Sequence, residues 1–143
     1  MRLGGRMWIL IVVLVVVAVF TVDWMISYSR LDDVYMEASI DPPSVVADGK
    51  SSAFITVRVT ENGEPLVHHL LQAWLGTGAG QLEPKWSYTD EDGMTVIKYS
   101  PNRYSPYDPQ DQVELHVKDL SVGRLIEAGK ELVVIVPQTK PGD

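Results

Sequence analysis

The 143-residue chain contains no cysteine. That absence excludes a disulfide framework, a thiolate metal site, c-type haem attachment and a cysteine nucleophile. It also excludes cupredoxin and Rieske domains, whose metal centres need cysteine ligands, and a lipoprotein, which needs a thiol to acylate. Basic charge is in short supply as well. With Asp23, Arg2, Arg6 and Arg30 set aside from totals of 19 acidic and 12 basic residues, the portion from residue 31 onward holds 18 Asp and Glu against 9 Lys and Arg, a net charge of −9. Such a surface repels nucleic acid and anionic lipid headgroups. Long apolar runs are missing everywhere but one place.

That place is residues 7–22, sixteen consecutive residues without a charge. At ~1.5 Å per residue the run covers ~24 Å, and carried through Tyr28 it reaches ~33 Å, enough for a hydrocarbon core of ~30 Å. Arg2 and Arg6 precede it, and the first charges after it are Asp23, Arg30, Asp32 and Asp33. The positive-inside rule then places residues 1–6 in the cytoplasm, residues 7–29 across the cytoplasmic membrane as a single-pass anchor, and the rest outside, in a periplasm or on the cell surface. Trp8 at one end, with Trp24 and Tyr28 at the other, suit the two interfacial belts, and Asp23 sits at the level of the outer headgroups rather than acting in a proton relay. A cleaved signal peptide is the rival reading, since Ser27-Tyr28-Ser29 supplies small residues at suitable positions. The apolar stretch is too long for that and lacks a small-x-small site directly after it, so an uncleaved signal anchor is expected. A pilin-like start is disfavoured because no early glutamate follows Gly4-Gly5.

Beyond the anchor the period is two. Ile55, Val57 and Val59 share one face of a strand and Thr56, Arg58 and Thr60 the other. Residues 66–75, 94–99, 112–117 and 131–136 are further strand candidates, with 35–40, 44–46, 86–89 and 122–126 as weaker ones. Turn signals separate them at Asp48-Gly49, Asn62-Gly63, residues 76–80, Asp92-Gly93 and Ala128-Gly129. Seven to nine short strands over about 110 residues, a usual size for one sandwich, predict an all-β fold, an immunoglobulin-like antiparallel β-sandwich preceded by one transmembrane helix. Residues 30–43 are read as a tether that also holds a candidate first strand, 44–137 as the sandwich and 138–143 as a tail. No segment beyond residue 30 asks to be a helix.

The turns carry a resemblance. Ala47-Asp48-Gly49-Lys50-Ser51-Ser52-Ala53, Val57-Arg58-Val59-Thr60-Glu61-Asn62-Gly63-Glu64-Pro65-Leu66, Gly78-Ala79-Gly80-Gln81-Leu82 and Thr89-Asp90-Glu91-Asp92-Gly93-Met94-Thr95-Val96 follow one another as do the signatures of the group 1 bacterial immunoglobulin-like domain, the module repeated in invasin and intimin. The sequence resembles that family over residues 38–137. The resemblance implies a sandwich used for surface recognition or adhesion. Residues 99–112 depart from it, with Pro101, Pro106 and Pro109 set among Tyr104, Tyr107 and Asp108. Such a loop is a stiff, exposed contact surface if it is functional and an ordinary long connection if it is not.

Candidate chemistry is thin. His68-His69 is read as lying in a strand, where neighbours point to opposite faces and cannot chelate one metal together, and His116 stands apart. Asp90, Glu91 and Asp92, with Asp48, are close enough in type to hold Ca²⁺ weakly but lack the pattern of a dedicated loop, so a turn is the preferred reading. Residues 76–80 lack the Lys-Ser or Lys-Thr and the helix of a phosphate loop. No Ser or Thr sits in a nucleophile elbow. Trp74 and Trp86 form a sugar platform only if exposed, and are expected in the core. The reading is therefore of a non-enzymatic protein with no catalytic, cofactor or metal residues.

Two functions follow. In the first, the chain is an accessory or scaffolding subunit of a membrane assembly, its partners integral membrane proteins and its contacts drawn from Asp23, Trp24, Tyr28, Tyr104, Tyr107 and Asp108. In the second it is a surface recognition or adhesion module for a protein or, less favoured, a glycan. One sandwich is only ~40 Å long and an extended tether adds at most ~45 Å. Short reach favours the accessory subunit.

Overall fold

The computed structural model describes residues 4–123 and 129–142. Residues 1–3 of the expected cytoplasmic segment, most of the weak candidate at 122–126, and Ala128 of the last expected turn lie outside them. Helix α1 spans Gly5–Leu31, 27 residues, or ~40 Å of rise. Gly4 is its N-cap and Gly5 its first residue, and it meets no Pro. Two of its hydroxyls bond within the helix, Thr21 Oγ1 donating to the Val17 carbonyl and Ser29 Oγ to that of Ile26, each at 2.8 Å. It is the one helix among the described residues long and apolar enough to cross a membrane.

Ten strands follow among the described residues: β1 (Val34–Asp41), β2 (Val45–Val46), β3 (Ala53–Glu61), β4 (Glu64–Pro65), β5 (Leu70–Thr77), β6 (Gly80–Glu83), β7 (Trp86–Tyr88), β8 (Met94–Pro101), β9 (Gln112–Asp119) and β10 (Glu131–Thr139). One sheet runs β1-β3-β8-β6, with β4 also on β3, and the other β2-β10-β9-β5-β7. All pairs are antiparallel except β2 on β10, where Val45 lies beside Gln138 and Val46 beside Thr139 in parallel. The chain crosses between the sheets repeatedly, at β1 to β2 and back at β3, at each step from β4 through β8, and again from β8 to β9, which ties the two layers together.

The alternation of β3 is realised. Ala53, Ile55, Val57 and Val59 are fully buried, while Phe54 and Arg58 are exposed. Facing them from the second sheet are Leu71, Ala73, Val113, Leu115, Val117, Val134 and Val136, with Ile97 and Tyr99 of β8 completing the core. Burying a side chain of this size contributes ~1.5–3 kcal/mol, so the interdigitated β-branched layer supplies most of the cohesion.

Register also defines two ends. Val34 pairs with Glu61, Leu71 with Asp119, and Lys130 Nζ reaches the Leu31 carbonyl, so these residues mark the end nearest the helix. Gly80 pairs with Pro101 and Gln138 with Val45 at the far end.

Three strand boundaries differ from expectation. Residues 66–69 are not strand: His68 takes a left-handed φ of 57° and the chain wraps Thr89, whose hydroxyl donates to the Leu66 carbonyl and accepts the His69 amide. Thr89, itself buried, stands in for a ladder there. The Gly-rich turn is shorter than read from sequence, because residues 80–83 pair with β8 as β6. β10 runs to Thr139, into the segment read as a tail.

Candidate functional site

The six residues singled out as contacts fall into two groups at opposite ends of the sandwich. Asp23, Trp24 and Tyr28 belong to the last turns of α1. Asp23, Ser27, Arg30 and Leu31 recur at helical spacing and turn toward the domain, Ser27 being buried. A cleft of ≈ 440 Å³ between helix and sandwich is lined by Asp23, Ile26, Ser27, Arg30, Glu61 and Val122. Trp24 and Tyr28 lie on the exposed side, their rings 5.0 Å apart and tilted by 59°.

What closes this joint is an Arg–carboxylate fork. Arg30 Nε and Nη2 meet Glu61 Oε1 and Oε2 at 2.8 and 3.0 Å. Leu31 packs against the core, Lys130 Nζ bonds the Leu31 carbonyl at 3.2 Å, and only Asp32 and Asp33 separate helix from β1. Residues 30–43, read from sequence as a tether with a candidate first strand, are largely β1, paired along its whole length with β3. The partners Arg30 and Glu61 are 31 positions apart, and nothing in the local sequence signals their meeting.

The Arg30 hydrogen bonds hold the Glu61 carboxyl below the usual carboxylate range, against a smaller upward push from burial. A lowered folded-state value means that the contribution is present above the ordinary Glu value of 4.5 and is lost as the pH falls through the lowered one. The chain's lack of cysteine makes the joint measurable with spin labels at Met25→Cys and Thr139→Cys. One narrow distance distribution is expected at neutral pH, broadened in Glu61→Ala and in the parent chain in strong acid. A width insensitive to both would show that the fork does not hold the joint.

The second group sits at the far end. Tyr104 N donates to the Ala47 carbonyl at 2.8 Å and its ring lies under Lys140 Nζ at 5.4 Å from the centroid. Ser105 and Asp108 close a tight turn through Asp108 N to the Ser105 carbonyl at 3.2 Å. Tyr107 at its tip is 98% exposed. A small cavity of ≈ 140 Å³ beneath is lined by polar groups, among them Arg103, Asp108, Gln110 and Gln138. Two of its glutamines are already engaged: Gln110 Oε1 accepts Ala79 N, and Gln138 Nε2 donates to the Tyr99 hydroxyl.

The carboxylates weighed together for Ca²⁺ are split between the two ends of the sandwich. Asp48 lies at the far end, its carboxylate accepting the Lys50 and Ser51 amides, which hold it below the ordinary range. Asp90 lies at the near end, with Oδ1 accepting the Asp92 and Met94 amides. Both carboxylates are spent on turns. His69 Nδ1 bonds the fully buried Asp119 at 2.7 Å, His116 bonds Glu131 at 2.6 Å, and His68 is exposed. Among the described residues no three such groups are gathered to hold a metal ion. The expectation that Trp74 and Trp86 lie in the core is not met. Register puts both on the outer face of the second sheet, where Trp86 is 53% exposed and Trp74 stacks on His116 at 5.3 Å.

No protein-family model and no curated protein matches the chain. Solved structures do. A C-terminal 282-residue fragment of intimin, in complex with the intimin-binding domain of the translocated intimin receptor, aligns with a TM-score of 0.55 at 15% identity, covering 71% of this chain and 32% of that one. The D00-D0 region of intimin aligns at 0.53 and 18% identity over 70% and 45%. The D0-D1 region aligns at 0.53 and 17% over 73% and 48%. The chain therefore spans a third to a half of the length of these fragments. At such identities the likeness is one of architecture: behind its apolar helix, this chain folds as an immunoglobulin-like sandwich of the intimin type.

Proposed function

We propose that the protein is a non-catalytic recognition and scaffolding subunit, anchored in the cytoplasmic membrane by α1 with its N-terminus inside, whose sandwich engages partner proteins at the outer face of the bilayer. The observation that supports this most is the closed joint. A ligand-seeking domain gains from a loose tether, whereas a subunit seated against neighbours gains from a fixed attitude, because orientation already set need not be lost on binding. The Arg30–Glu61 fork and the two-residue connection fix that attitude. The test is recovery of the full chain, gently extracted, with its neighbours. Replacing residues 7–22 by an unrelated apolar helix while keeping the joint is expected to abolish co-purification of integral membrane partners. Unchanged recovery would confine the contact to the exterior domain, and isolation of the parent chain as a lone monomer would overturn the reading.

Tyr107 favours a second reading, adhesion. It stands nearly free at the end farthest from the helix, the part of the domain that projects furthest from the bilayer. Loss of partner binding in Tyr107→Ala with the anchor intact would move the contact there.

A further inference from the structure

The main chain of β10 leaves one side of the strand without a partner over most of its described length. Asp119 N donates to the Lys130 carbonyl and Gln138 N to that of Asp111, both at 2.8 Å. With the alternation of an antiparallel ladder and the β9–β10 register, Leu132, Val134 and Val136 direct their N–H and C=O groups to β9. Glu131, Val133, Ile135 and Pro137 direct theirs to the opposite side. The chain confirms this at Thr139, whose carbonyl accepts Ala47 N at 2.9 Å on that same side, where β2 pairs. β2 covers only Gln138 and Thr139, and Pro137 has no N–H to offer. Among the described residues the ladder is therefore open over residues 131–135.

Edges of this kind are ordinarily guarded by charge, by Pro or by shortness. β1 carries Glu37 and Asp41 on its outer face, β6 carries Glu83, and β7 has three residues. β10 carries Leu132, Val133, Val134, Ile135 and Val136 in succession, with Val133 49% and Ile135 41% exposed. A second copy does not suit it. Symmetric antiparallel pairing would point the two α1 helices in opposite directions, and each domain bears a net −9 from residue 31 onward.

We propose that residues 131–135 of β10 form a strand-addition site for a short extended segment of a different protein, continuing the line that β2 begins. The segment's main chain pairs with Val133 and Ile135, and its apolar side chains cover theirs. The inference rests on the reading of the protein as one that engages protein partners, and names where one of them binds.

The test uses the full chain in its native membrane, with the photo-crosslinker p-benzoylphenylalanine placed singly at Val133, Ile135, Tyr107 or, as an exposed control on the other sheet, Val96. Crosslinks from 133 and 135 to one other protein are expected, with adducts two residues apart in a single segment. Ile135→Pro removes an outward N–H without touching the β9 ladder, and should lower the yield from 133 by about tenfold, the equivalent of one lost hydrogen bond with its partner stranded. Ile135→Lys, which leaves the main chain intact, should do the same. Crosslinks from 133 and 135 no stronger than from 96, or insensitive to both variants, or to a second copy, overturn the site. Crosslinking from 107 alone would overturn it while leaving a protein-binding role standing, and silence at every position would overturn both.

Discussion

Replacing Tyr99 with alanine is expected to destabilise the sandwich by ~3–5 kcal/mol, a large share of the ~5–15 kcal/mol that holds a domain of this size. Tyr99 is fully buried, the largest such side chain among the described residues. Its hydroxyl donates to the Ala79 carbonyl at 2.8 Å and accepts from Gln138 Nε2 at 2.6 Å. One ring thus links β8, the turn before β6 and the end of β10, across both sheets. The approach is close: a Cβ on Gly80 would come within 2.5 Å of Tyr99 Cε2. Tyr99→Phe keeps the packing but strands the Gln138 amide and the Ala79 carbonyl, for ~1–3 kcal/mol. Urea unfolding followed by tryptophan fluorescence should rank the parent above Tyr99→Phe and that above Tyr99→Ala. Equal midpoints for the parent and Tyr99→Ala would show that the far end contributes nothing.

The same residue sets an alkaline limit. Burial pushes the Tyr99 hydroxyl up to about 12 from an ordinary 10.0. A raised folded-state value gives stability that is complete below the unfolded value and lost as the pH rises through the folded one. The parent should therefore weaken between pH 10 and about 12, and Tyr99→Phe should lack that component.

Tyr99 illustrates what the sequence makes legible. Its place in a period-two run from residue 94 gave the strand, and the same alternation gave β3, β9 and β10, because half-buried strands write their burial directly into sequence. The turns were equally legible, since Asn62 and Gly93 carry the positive φ that their types tolerate. Contacts between distant residues were not. The Arg30–Glu61 fork, the wrapping of Thr89 that bends residues 66–69 away from strand, and the pairing of Gly80–Glu83 with β8 all depend on partners far along the chain. The two tryptophans were misplaced for a related reason. Composition favours burial of a large ring, but register decides which face it occupies, and Trp74 and Trp86 lie in rows that point outward.

The turn at residues 90–93 joins these two kinds of information, and Gly93→Ala is expected to destabilise by about 2–4 kcal/mol, left-handed strain adding to a main-chain collision. Gly93 has a φ of 71°, and a Cβ there would lie 2.6 Å from the Val59 carbonyl oxygen and 3.1 Å from Leu66 N. The first feature is readable from Asp-Gly in sequence; the second follows from Val59 N donating to the Gly93 carbonyl at 2.8 Å, which draws the turn against β3. Gly63→Ala separates the two effects. Gly63 has a φ of 86° and nothing within 4 Å of its added Cβ, so it should cost only the ~1–2 kcal/mol of backbone strain. Thermal unfolding of the two variants side by side should place Gly93→Ala well below Gly63→Ala. If the two coincide, the collision is relieved by a shift of the turn, and the near end of the sandwich, two residues beyond Val59 at Glu61 where the helix is clamped, is softer than its hydrogen bonds indicate.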